Sequence, residues 1–479
     1  MGADGFFSLE RERQIRRGRL SLPEPDPALA EDAALGFGRA FPGQSAMTVL
    51  RSGQAAITRR LSVMVGVPLL VAPDIAIQAV MWMGLALFGA ILLFRTGLVM
   101  LGCLQARKPP EALGADLLLP VYTILVALKD EAASAAQLSR AIIALDYPPD
   151  RIDLKLLIET GDEATRAALL DQDWPDGTEL IVLPPGLPRT KPRALNYGLA
   201  RARGTYVVVY DAEDRPDPRQ LRDAVAAFAR GPSSLACVQA PLVGVPEGGG
   251  WLSAQWALEY AIQFGRILPA LARLGLPIAL GGTSNHFHRA KLVEAGGWDA
   301  WNVTEDADLG LRLARRGARV GMIAPPTLEA PPEQMGVWLA QRSRWLKGFL
   351  QTWLVLMRTP AASIRDMGLA GFVSMQLTLG AAILSALVHG PWALWCLFCL
   401  CVPDVSLGPL GTGVMAVSYL AGVATGVVAP RRGGSRPLIV ALTAPLYWPL
   451  QSVAMTRALY GLCHAPHFWA KTPHGAPSA

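Results

Sequence analysis

The chain of 479 residues has room for two or three domains of ordinary size. Hydrophobic residues make up 52% of it and charged residues only 17%, whereas a typical soluble domain has about 25% charged residues. This composition favours a membrane protein over a soluble one. The net charge of +6 is mild, and no basic stripe interleaved with aromatic residues indicates a nucleic-acid partner.

The N-terminal part of the chain divides into a polar and an apolar segment. Residues 1–60 are polar and contain many arginines, so we predict a cytosolic tail of unassigned role and no cleavable signal peptide. Residues 61–108 are almost continuously apolar and long enough for a transmembrane hairpin. Arg59-Arg60 and Arg107-Lys108 flank this hairpin, which favours a cytosolic location for both of its ends.

Residues 115–330 have the pattern of an α/β domain. Short apolar or β-branched runs alternate with helix-like stretches, and these runs are 122–128, 154–158, 180–183, 206–210, 236–239 and 319–323. Strands that alternate with helices predict a mainly parallel sheet, which binds ligands at the carboxyl ends of its strands.

The C-terminal part of the chain is again apolar. Residues 331–363 place aromatic and basic residues at helical spacing, as in an amphipathic helix at a membrane interface. Residues 364–463 are long enough for about three or four transmembrane spans, and residues 464–479 form a polar tail. The CxxC spacing of Cys396 and Cys399 has no second pair nearby, so we interpret these cysteines as thiols of membrane helices.

Closely spaced carboxylates follow the apolar run 206–210. Asp211, Glu213 and Asp214 are the kind of group that coordinates a hard divalent cation on a diphosphate. An isolated acidic turn of this kind also occurs where a polar turn simply caps a buried strand.

Other polar motifs stand at the ends of neighbouring runs and strengthen the cation interpretation. Glu131 follows the first run, and Glu159 and Asp162 follow the second. Lys191 and Asn196 belong to a motif that opens a helix, where a phosphate could lie. The sequence therefore predicts a ligand site to which several strands contribute.

A glycine-rich turn follows later in the domain and contains Gly282, Thr283 and Ser284. Its hydroxyls and backbone could bind a sugar, or the turn could be only a tight connection. His286 and His288 lack partners at metal-ligand spacing, so we interpret both as structural.

Two further motifs carry the chemistry that transfer from a nucleotide donor requires. Thr304, Glu305 and Asp306 include a group that could take a proton from an acceptor hydroxyl. Gln341, Arg344 and Trp345 follow on the amphipathic segment, where the arginine could hold a leaving diphosphate.

Taken in this order, the motifs resemble those of the membrane-integrated family 2 glycosyltransferases, the bacterial cellulose synthase-like group. The resemblance covers residues 115–360 closely. It implies an α/β GT-A domain, the Rossmann-like fold of nucleotide-diphospho-sugar transferases, flanked by transmembrane α-helices. It also implies a multi-pass protein of the bacterial inner membrane whose catalytic domain is cytosolic.

The resemblance further implies a role for each motif. The catalytic group is Asp306 as the base with Glu305 and Thr304; the donor-binding residues are Glu131, Glu159, Asp162, Lys191, Asn196 and Arg344; the acceptor-binding residues are Gly282, Thr283, Ser284, Gln341 and Trp345. Asp211 binds Mg²⁺ or Mn²⁺, and either Glu213 or Asp214 supplies the second carboxylate. Lys471 and Thr472 either close over the donor as a gate or belong to a basic tail beside the membrane.

The activity expected from this resemblance is processive, inverting synthesis of a β-linked polysaccharide from a UDP-sugar, with UDP-glucose favoured. The partners would be the UDP-sugar, the growing polysaccharide, the lipid bilayer and export or accessory proteins. Two alternatives stay open at this point: addition of a single sugar to a lipid carrier, and a membrane scaffold that retains an inactive transferase domain.

Overall fold

A computed structural model describes residues 20–104, 119–246, 248–402, 405–430 and 437–469. In chain order its helices and strands are α1 (Pro27–Ala40), α2 (Ser52–Val71), α3 (Pro73–Leu104), β1 (Tyr122–Leu128), α4 (Ala135–Ile143), β2 (Ile152–Glu159), α5 (Glu163–Leu170), β3 (Glu179–Leu183), α6 (Lys191–Ala200), β4 (Tyr206–Tyr210), β5 (Arg215–Pro216), α7 (Gln220–Arg230), β6 (Leu235–Gln239), β7 (Leu242–Gly244), α8 (Trp251–Ile262), α9 (Leu268–Leu274), β8 (Asn285–His288), α10 (Arg289–Glu294), α11 (Glu305–Arg315), β9 (Arg319–Met322), β10 (Thr327–Glu329), α12 (Met335–Leu356), α13 (Pro360–Met375), α14 (Ala381–Cys401), α15 (Gly408–Val427), α16 (Pro437–Leu442), α17 (Ala444–Tyr447) and α18 (Leu450–His464).

The α/β domain is built on a seven-stranded sheet of order β3-β2-β1-β4-β8-β6-β9. All neighbouring strands are parallel except β8, which is antiparallel to both β4 and β6. The side chains of the central strand β1 are nearly all buried, as expected for a parallel strand covered on both faces. A second, three-stranded sheet has the order β5-β10-β7. The α/β fold expected from the sequence is therefore confirmed.

Residues 20–46 pack on the α/β domain, whereas the sequence predicted a cytosolic tail over residues 1–60. Ser21 forms a bridge with Glu179 at the edge strand β3. Helix α1 buries Ala33 and Phe37, and the Arg312 guanidinium lies 4.2 Å from the centre of the Phe37 ring. The segment is polar in composition because only one face of α1 is apolar, and that face docks on the domain. Residues 1–19 lie outside the described part of the chain.

Helices α2 and α3 follow this segment and form the predicted hairpin, although α2 already begins at Ser52 rather than near residue 61. The described residues contain four helices that are long and apolar enough to cross a membrane. They are α2, α3, the stretch Pro360–Cys401 that contains α13 and α14, and α15.

Helices α8 and α9 are joined by a π-helical turn, Gln263–Ile267, and α13 and α14 are joined by another, Gln376–Gly380. The first turn touches α3, because a Cβ on Gly102 would lie 2.4 Å from the carbonyl oxygen of Arg266. Helix α12, which carries the Gln341–Trp345 motif, packs against α18. These helices connect the sheet to the apolar helices.

Candidate active site

A cavity of about 450 Å³ opens at the carboxyl ends of β1, β2 and β4. Because these strands are parallel, the residues that follow them meet at one edge of the sheet. Helices α11 and α12 complete this polar end of the cavity. The cavity continues to a membrane end, which is lined by α3 and by both π-helical turns.

The acidic turn after β4 divides its carboxylates between two tasks. Asp214 is only 1% exposed; it accepts a hydrogen bond from the Asp211 backbone N–H at 2.8 Å and another from the Thr283 hydroxyl. Burial and the charges of Asp211 and Glu213 raise the pKa of Asp214 well above its usual range. Asp214 therefore stabilises the turn through its hydrogen bonds. The carboxylates of Asp211 and Glu213 line the cavity.

Asp211 is paired with a lysine. The Lys191 ammonium group forms an ion pair with Asp211 and donates a hydrogen bond to the Gly282 carbonyl at 2.6 Å. Burial by itself would lower the pKa of Lys191, but the carboxylates of Asp211 and Glu305 raise it above its ordinary value. Lys191 thus supplies a fixed positive charge between the acidic turn and the glycine-rich turn.

A divalent cation such as Mg²⁺ needs hard oxygen donors. No group of three or more His, Cys, Asp or Glu side chains forms a ready-made metal site in the described ranges. The carboxylates of Asp211 and Glu213 are nevertheless hard oxygen donors that face the cavity. They fit a cation such as Mg²⁺, which is commonly held by one or two carboxylates together with substrate phosphates.

Glu305 and Asp306 begin helix α11 and form the second acidic group of the cavity. Burial and the charge of Asp306 raise the pKa of Glu305 to about 7. Burial also raises the pKa of Asp306, against the opposing effects of the Ala307 backbone N–H and of the charges of Lys191 and Arg344. A carboxylate with a raised pKa is a stronger proton acceptor, as a general base requires.

Gly282 gives Asp306 room, because a Cβ at Gly282 would lie 3.4 Å from an oxygen of the Asp306 carboxylate. The approach of α12 to α11 is tighter still. A Cβ at Gly348 would lie 2.2 Å from the Thr304 hydroxyl oxygen. Glycine at position 348 therefore lets α12 lie directly against the start of α11.

Helix α12 places Gln341, Arg344 and Trp345 at the cavity wall. The Trp256 indole N–H donates to the Gln341 side-chain oxygen at 3.0 Å. The Trp345 ring stacks with that of Tyr260 at a centroid distance of 6.1 Å. These contacts fix the aromatic wall beside Asp306.

Arg342 ties the same helix, α12, to α8. Its guanidinium donates two hydrogen bonds to Glu259, at 2.7 and 2.6 Å, and lies 4.7 Å from the centre of the Trp345 ring. A bidentate pair of this kind is strong and directional, so Arg342 holds the orientation of Trp345.

The C-terminal segment covers the polar end of the cavity. The Lys347 ammonium group donates to the carbonyls of Ala465 and Phe468 at 3.1 and 2.7 Å. The Trp469 ring then lies 5.0 Å from the Arg344 guanidinium and lines the cavity. Lys471 and Thr472, the predicted gate, lie outside the described residues.

The membrane end of the cavity is apolar. Ile91, Phe94 and Leu98 of α3 face Leu377 and Leu379 of the second π-helical turn across it. Arg95 is a cation in this otherwise apolar region of α3. A ligand in this cavity would therefore have a polar part near Asp306 and an apolar part near α3.

The family model for "Glycosyl transferase family group 2" matches residues 206–421, which include β4, the acidic turn, α11 and α12. This part of the chain therefore matches a glycosyltransferase domain of family 2. It is 28% identical over 65% of its length to a beta-monoglucosyldiacylglycerol synthase of Synechocystis, of which it covers 66%. It is also 26% identical over 47% of its length to a poly-beta-1,6-N-acetyl-D-glucosamine synthase of Staphylococcus aureus, of which it covers 54%.

Among solved structures, the transferase is similar to the mannosyltransferase PcManGT of Pyrobaculum calidifontis in complex with GDP-mannose and Mn²⁺. The TM-score is 0.50 at 20% identity, and the match covers 79% of this chain and 96% of that one. This similarity confirms the GT-A fold. The chain spans between about half and two thirds of the length of the curated relatives that it matches.

Most of the residues predicted for the site line the one cavity. They are Glu131, Glu159, Lys191, Asp211, Glu213, Asp214, Gly282, Thr283, Thr304, Glu305, Asp306, Gln341, Arg344 and Trp345. Asp162, Asn196 and Ser284 do not belong to the cavity wall.

These three residues form hydrogen bonds within the protein instead. Asp162 caps α5 and accepts a hydrogen bond from the Asp130 N–H at 2.6 Å. Asn196 donates to the carbonyls of Ala33 and Trp298 at 3.1 and 2.7 Å, so it ties α1 to the domain. Ser284 is fully buried and shares a hydrogen bond with Thr327 at 2.5 Å.

His286 has the structural role that its spacing suggested. It lies on β8 in the middle of the sheet, and its Nδ1 is 2.8 Å from the Tyr122 hydroxyl. Burial lowers the pKa of His286 to about 3, so the ring is neutral at physiological pH.

Sequence reasoning missed several residues of the cavity wall: Arg95, Glu259, Tyr260, Glu329 and Trp469. Arg95 had a usable signal, because an arginine inside a long apolar run is unusual. Glu329 had no such signal in the sequence, because it belongs to the three-residue strand β10. Only the folded chain brings this strand close to the acidic turn. Burial and the charges of Asp214 and Asp211 raise the pKa of Glu329 well above its usual range.

Proposed function

We propose that this transferase moves a sugar from a nucleotide diphosphate donor to a hydroxyl group of a membrane lipid, with inversion at the anomeric carbon. The observation that carries this proposal is the continuity of the cavity. Its polar end, with Asp306, and its apolar end, with α3, belong to one space of about 450 Å³.

At the polar end, the side chains divide the work of an inverting displacement. Asp306 takes the proton of the acceptor hydroxyl, whose oxygen forms a bond to the anomeric carbon while the bond from that carbon to the diphosphate breaks. Lys191 and Arg344 place positive charge beside the departing diphosphate. Preorganised charges of this kind are a large part of many rate enhancements.

Asp211 and Glu213 would hold a divalent cation, Mg²⁺ or Mn²⁺, on the donor diphosphate. Such an ion neutralises the charge that develops on the leaving group. The Asp214 side chain, which is buried in the turn, keeps the Asp211 backbone in place for this task. UDP-glucose is the favoured donor on the resemblance described above.

The apolar end supports a lipid acceptor. Ile91, Phe94 and Leu98 give it a hydrocarbon wall that is part of a candidate membrane span. A hydrated sugar chain would gain little from such a wall, whereas an acyl chain gains about 0.8 kcal/mol for each CH₂ group that it buries. The name of the Synechocystis relative, a glycolipid synthase, agrees with this choice.

A second candidate is the processive synthesis of a β-linked polysaccharide, which the sequence resemblance favours. The observation that supports it is the aromatic wall at Trp345, which is stacked with Tyr260 beside the catalytic carboxylates. A flat aromatic face of this kind suits a sugar ring. In this candidate the polymer would leave through the membrane helices, with or without accessory export proteins.

Product size distinguishes the two candidates. Membranes that contain the protein are incubated with labelled UDP-glucose, UDP-N-acetylglucosamine and GDP-mannose in separate reactions, with Mg²⁺ or Mn²⁺. We expect a labelled, solvent-extractable lipid that carries one sugar. A water-soluble polymer sensitive to linkage-specific hydrolases would favour the polysaccharide, and no transfer from any donor would favour an inactive scaffold.

We also propose a multi-pass location in the inner membrane of a bacterium, with the catalytic domain in the cytosol. The candidate spans described above and the positive residues beside the N-terminal hairpin support it. Labelling of an engineered cysteine on α7, from either side of sealed vesicles, tests this orientation.

A further inference from the structure

Arg95 lies within the candidate membrane span α3 and faces the cavity together with Ile91, Phe94 and Leu98. Residues three and four positions apart share one face of a helix, so these four form a single stripe. A charged side chain inside a membrane helix is costly, and its default interpretation is a functional site. The reaction described above does not use Arg95.

The positive charge of Arg95 is available to a ligand. Among the described residues, none forms a hydrogen bond or a close ion pair with Arg95, and Glu259 is the acidic group whose charge acts on it. The Glu259 carboxylate already accepts two hydrogen bonds from Arg342 and one, at 3.0 Å, from the Tyr447 hydroxyl. It therefore has little capacity left for Arg95.

The position of Arg95 along α3 suits a lipid headgroup. Gly102 marks the level at which α3 touches the π-helical turn after α8. With the edge of the hydrocarbon core taken at Gly102, Arg95 lies seven residues, or about 10 Å, inside it, and half of the core is about 15 Å thick. A long arginine side chain can reach from this depth towards the headgroup region.

We propose that Arg95 binds the phosphate of an anionic acceptor lipid, so that a free hydroxyl of the same headgroup faces Asp306. This inference rests on the proposed transfer to a lipid and narrows its acceptor to phosphate-bearing lipids. Guanidinium and phosphate pair through two parallel hydrogen bonds. The acyl chains would then lie along Ile91, Phe94 and Leu98.

The first test compares two acceptors in mixed detergent micelles. Phosphatidylglycerol has a phosphate and free hydroxyls, whereas diacylglycerol has a free hydroxyl and no phosphate. We expect the wild-type protein to prefer phosphatidylglycerol in kcat/KM. Because a hydrogen bond to a charged group is stronger than one between neutral groups, Arg95→Gln should reduce kcat/KM for phosphatidylglycerol by roughly 10- to 100-fold and reduce kcat/KM for diacylglycerol at least tenfold less.

Two control variants accompany Arg95→Gln. Arg95→Lys keeps the charge and should retain part of the preference for phosphatidylglycerol. Arg273→Gln removes an arginine that is exposed on α9 and does not line the cavity, so it should behave as wild type. An equal loss with both lipids, or a wild-type preference for diacylglycerol, overturns the inference.

A binding measurement keeps the inference testable in the absence of turnover. Native mass spectrometry of the detergent-released protein measures the fraction that retains phosphatidylglycerol relative to diacylglycerol. Arg95→Gln should lower this ratio by about tenfold, and an unchanged ratio overturns the inference. A different result would reject the proposed function. If the product is a polysaccharide and no glycosylated lipid of either kind forms, transfer to a lipid is rejected, even if Arg95 binds the phosphate.

Discussion

At the polar end of the cavity the side chains form ion pairs and hydrogen bonds with one another, whereas at the membrane end apolar side chains surround the Arg95 guanidinium. Lys191 pairs with Asp211, and Asp214 is hydrogen-bonded within its own turn. Ile91 and Phe94, in contrast, offer a ligand only apolar contact. The polar end is thus preorganised for one kind of chemistry, and the membrane end selects which molecule enters.

This difference can be measured, because hydrolysis of the donor by water uses the polar end alone, while transfer to a lipid uses both ends. Each variant below is therefore assayed for both reactions. A variant of the polar end should impair both, and a variant of the membrane end should impair transfer only.

The largest expected effect belongs to the base. Asp306→Asn removes the proton acceptor and should reduce kcat for transfer by about 10²- to 10⁴-fold, the usual contribution of general base catalysis. Binding of the nucleotide donor, measured by calorimetry, should persist because the carboxylates at β4 are intact. Asp171→Asn changes an exposed residue at the end of α5 and serves as the control. Normal transfer by Asp306→Asn would show that another group is the base.

The second-largest effect is expected from a change at the contact between α12 and α11. Gly348→Ala places a methyl group against the Thr304 side chain, and such overpacking costs about 1–3 kcal/mol. We expect a lower thermal midpoint and a lower rate of both reactions, because Thr304 precedes the catalytic carboxylates. Gly336→Ala lies on the same helix with nothing within 4 Å of the new methyl group. If the two variants behave alike, the close approach at Gly348 is not what positions α11.

A smaller effect tests the membrane end. Phe94→Ala removes apolar surface from the cavity wall, and loss of about 1.5 kcal/mol of burial should raise the KM for a lipid acceptor roughly tenfold. Hydrolysis of the donor should be unchanged. Leu93→Ala alters a neighbouring residue that is exposed on α3 and does not line the cavity. Equal effects of Phe94→Ala on hydrolysis and transfer would contradict the separation of the two ends.

The smallest expected effect is on the pH dependence of kcat/KM. The base must be ionised, and burial raises the pKa of Asp306, so activity should be lost as the pH falls through this raised pKa. The acidic limb of kcat/KM should therefore lie above the value of about 4 that is usual for an aspartate. Burial and the charge of Asp306 raise the pKa of Glu305 to about 7, so Glu305→Gln should remove an inflection of the pH profile near neutrality. A limb at pH 4 or below in the wild-type protein would contradict this assignment.

The polar end was predictable from the sequence because its residues are local to strand ends. An apolar run followed by Asp211 or Glu159 carries the strand and its functional end in adjacent positions. The parallel arrangement then brings those ends together without further information. Asn196 and Ser284 lie away from the cavity wall, because a polar residue in such a motif can equally well form hydrogen bonds within the protein, and the distinction depends on what packs beside it.

The remaining parts of the cavity wall were not predictable in the same way. Glu259 and Tyr260 belong to α8, whose apolar face gives no indication that the helix borders a ligand cavity. Their place depends on how α8 meets α3 and α12, which is a matter of helix packing rather than of local pattern. Arg95 is the exception, because its charge stands out within an apolar run.

The docking of residues 20–46 on the catalytic domain has a mechanical consequence. The chain leaves the domain after this segment, passes through α2 and α3, and returns to the domain at β1. With these helices in a bilayer, as proposed above, the domain would be held by two attachments near its N-terminal half, and α13 and α14 would provide another. A body fixed at several points cannot rotate freely, so the enzyme would meet its acceptor by lateral diffusion in two dimensions rather than by collision from solution.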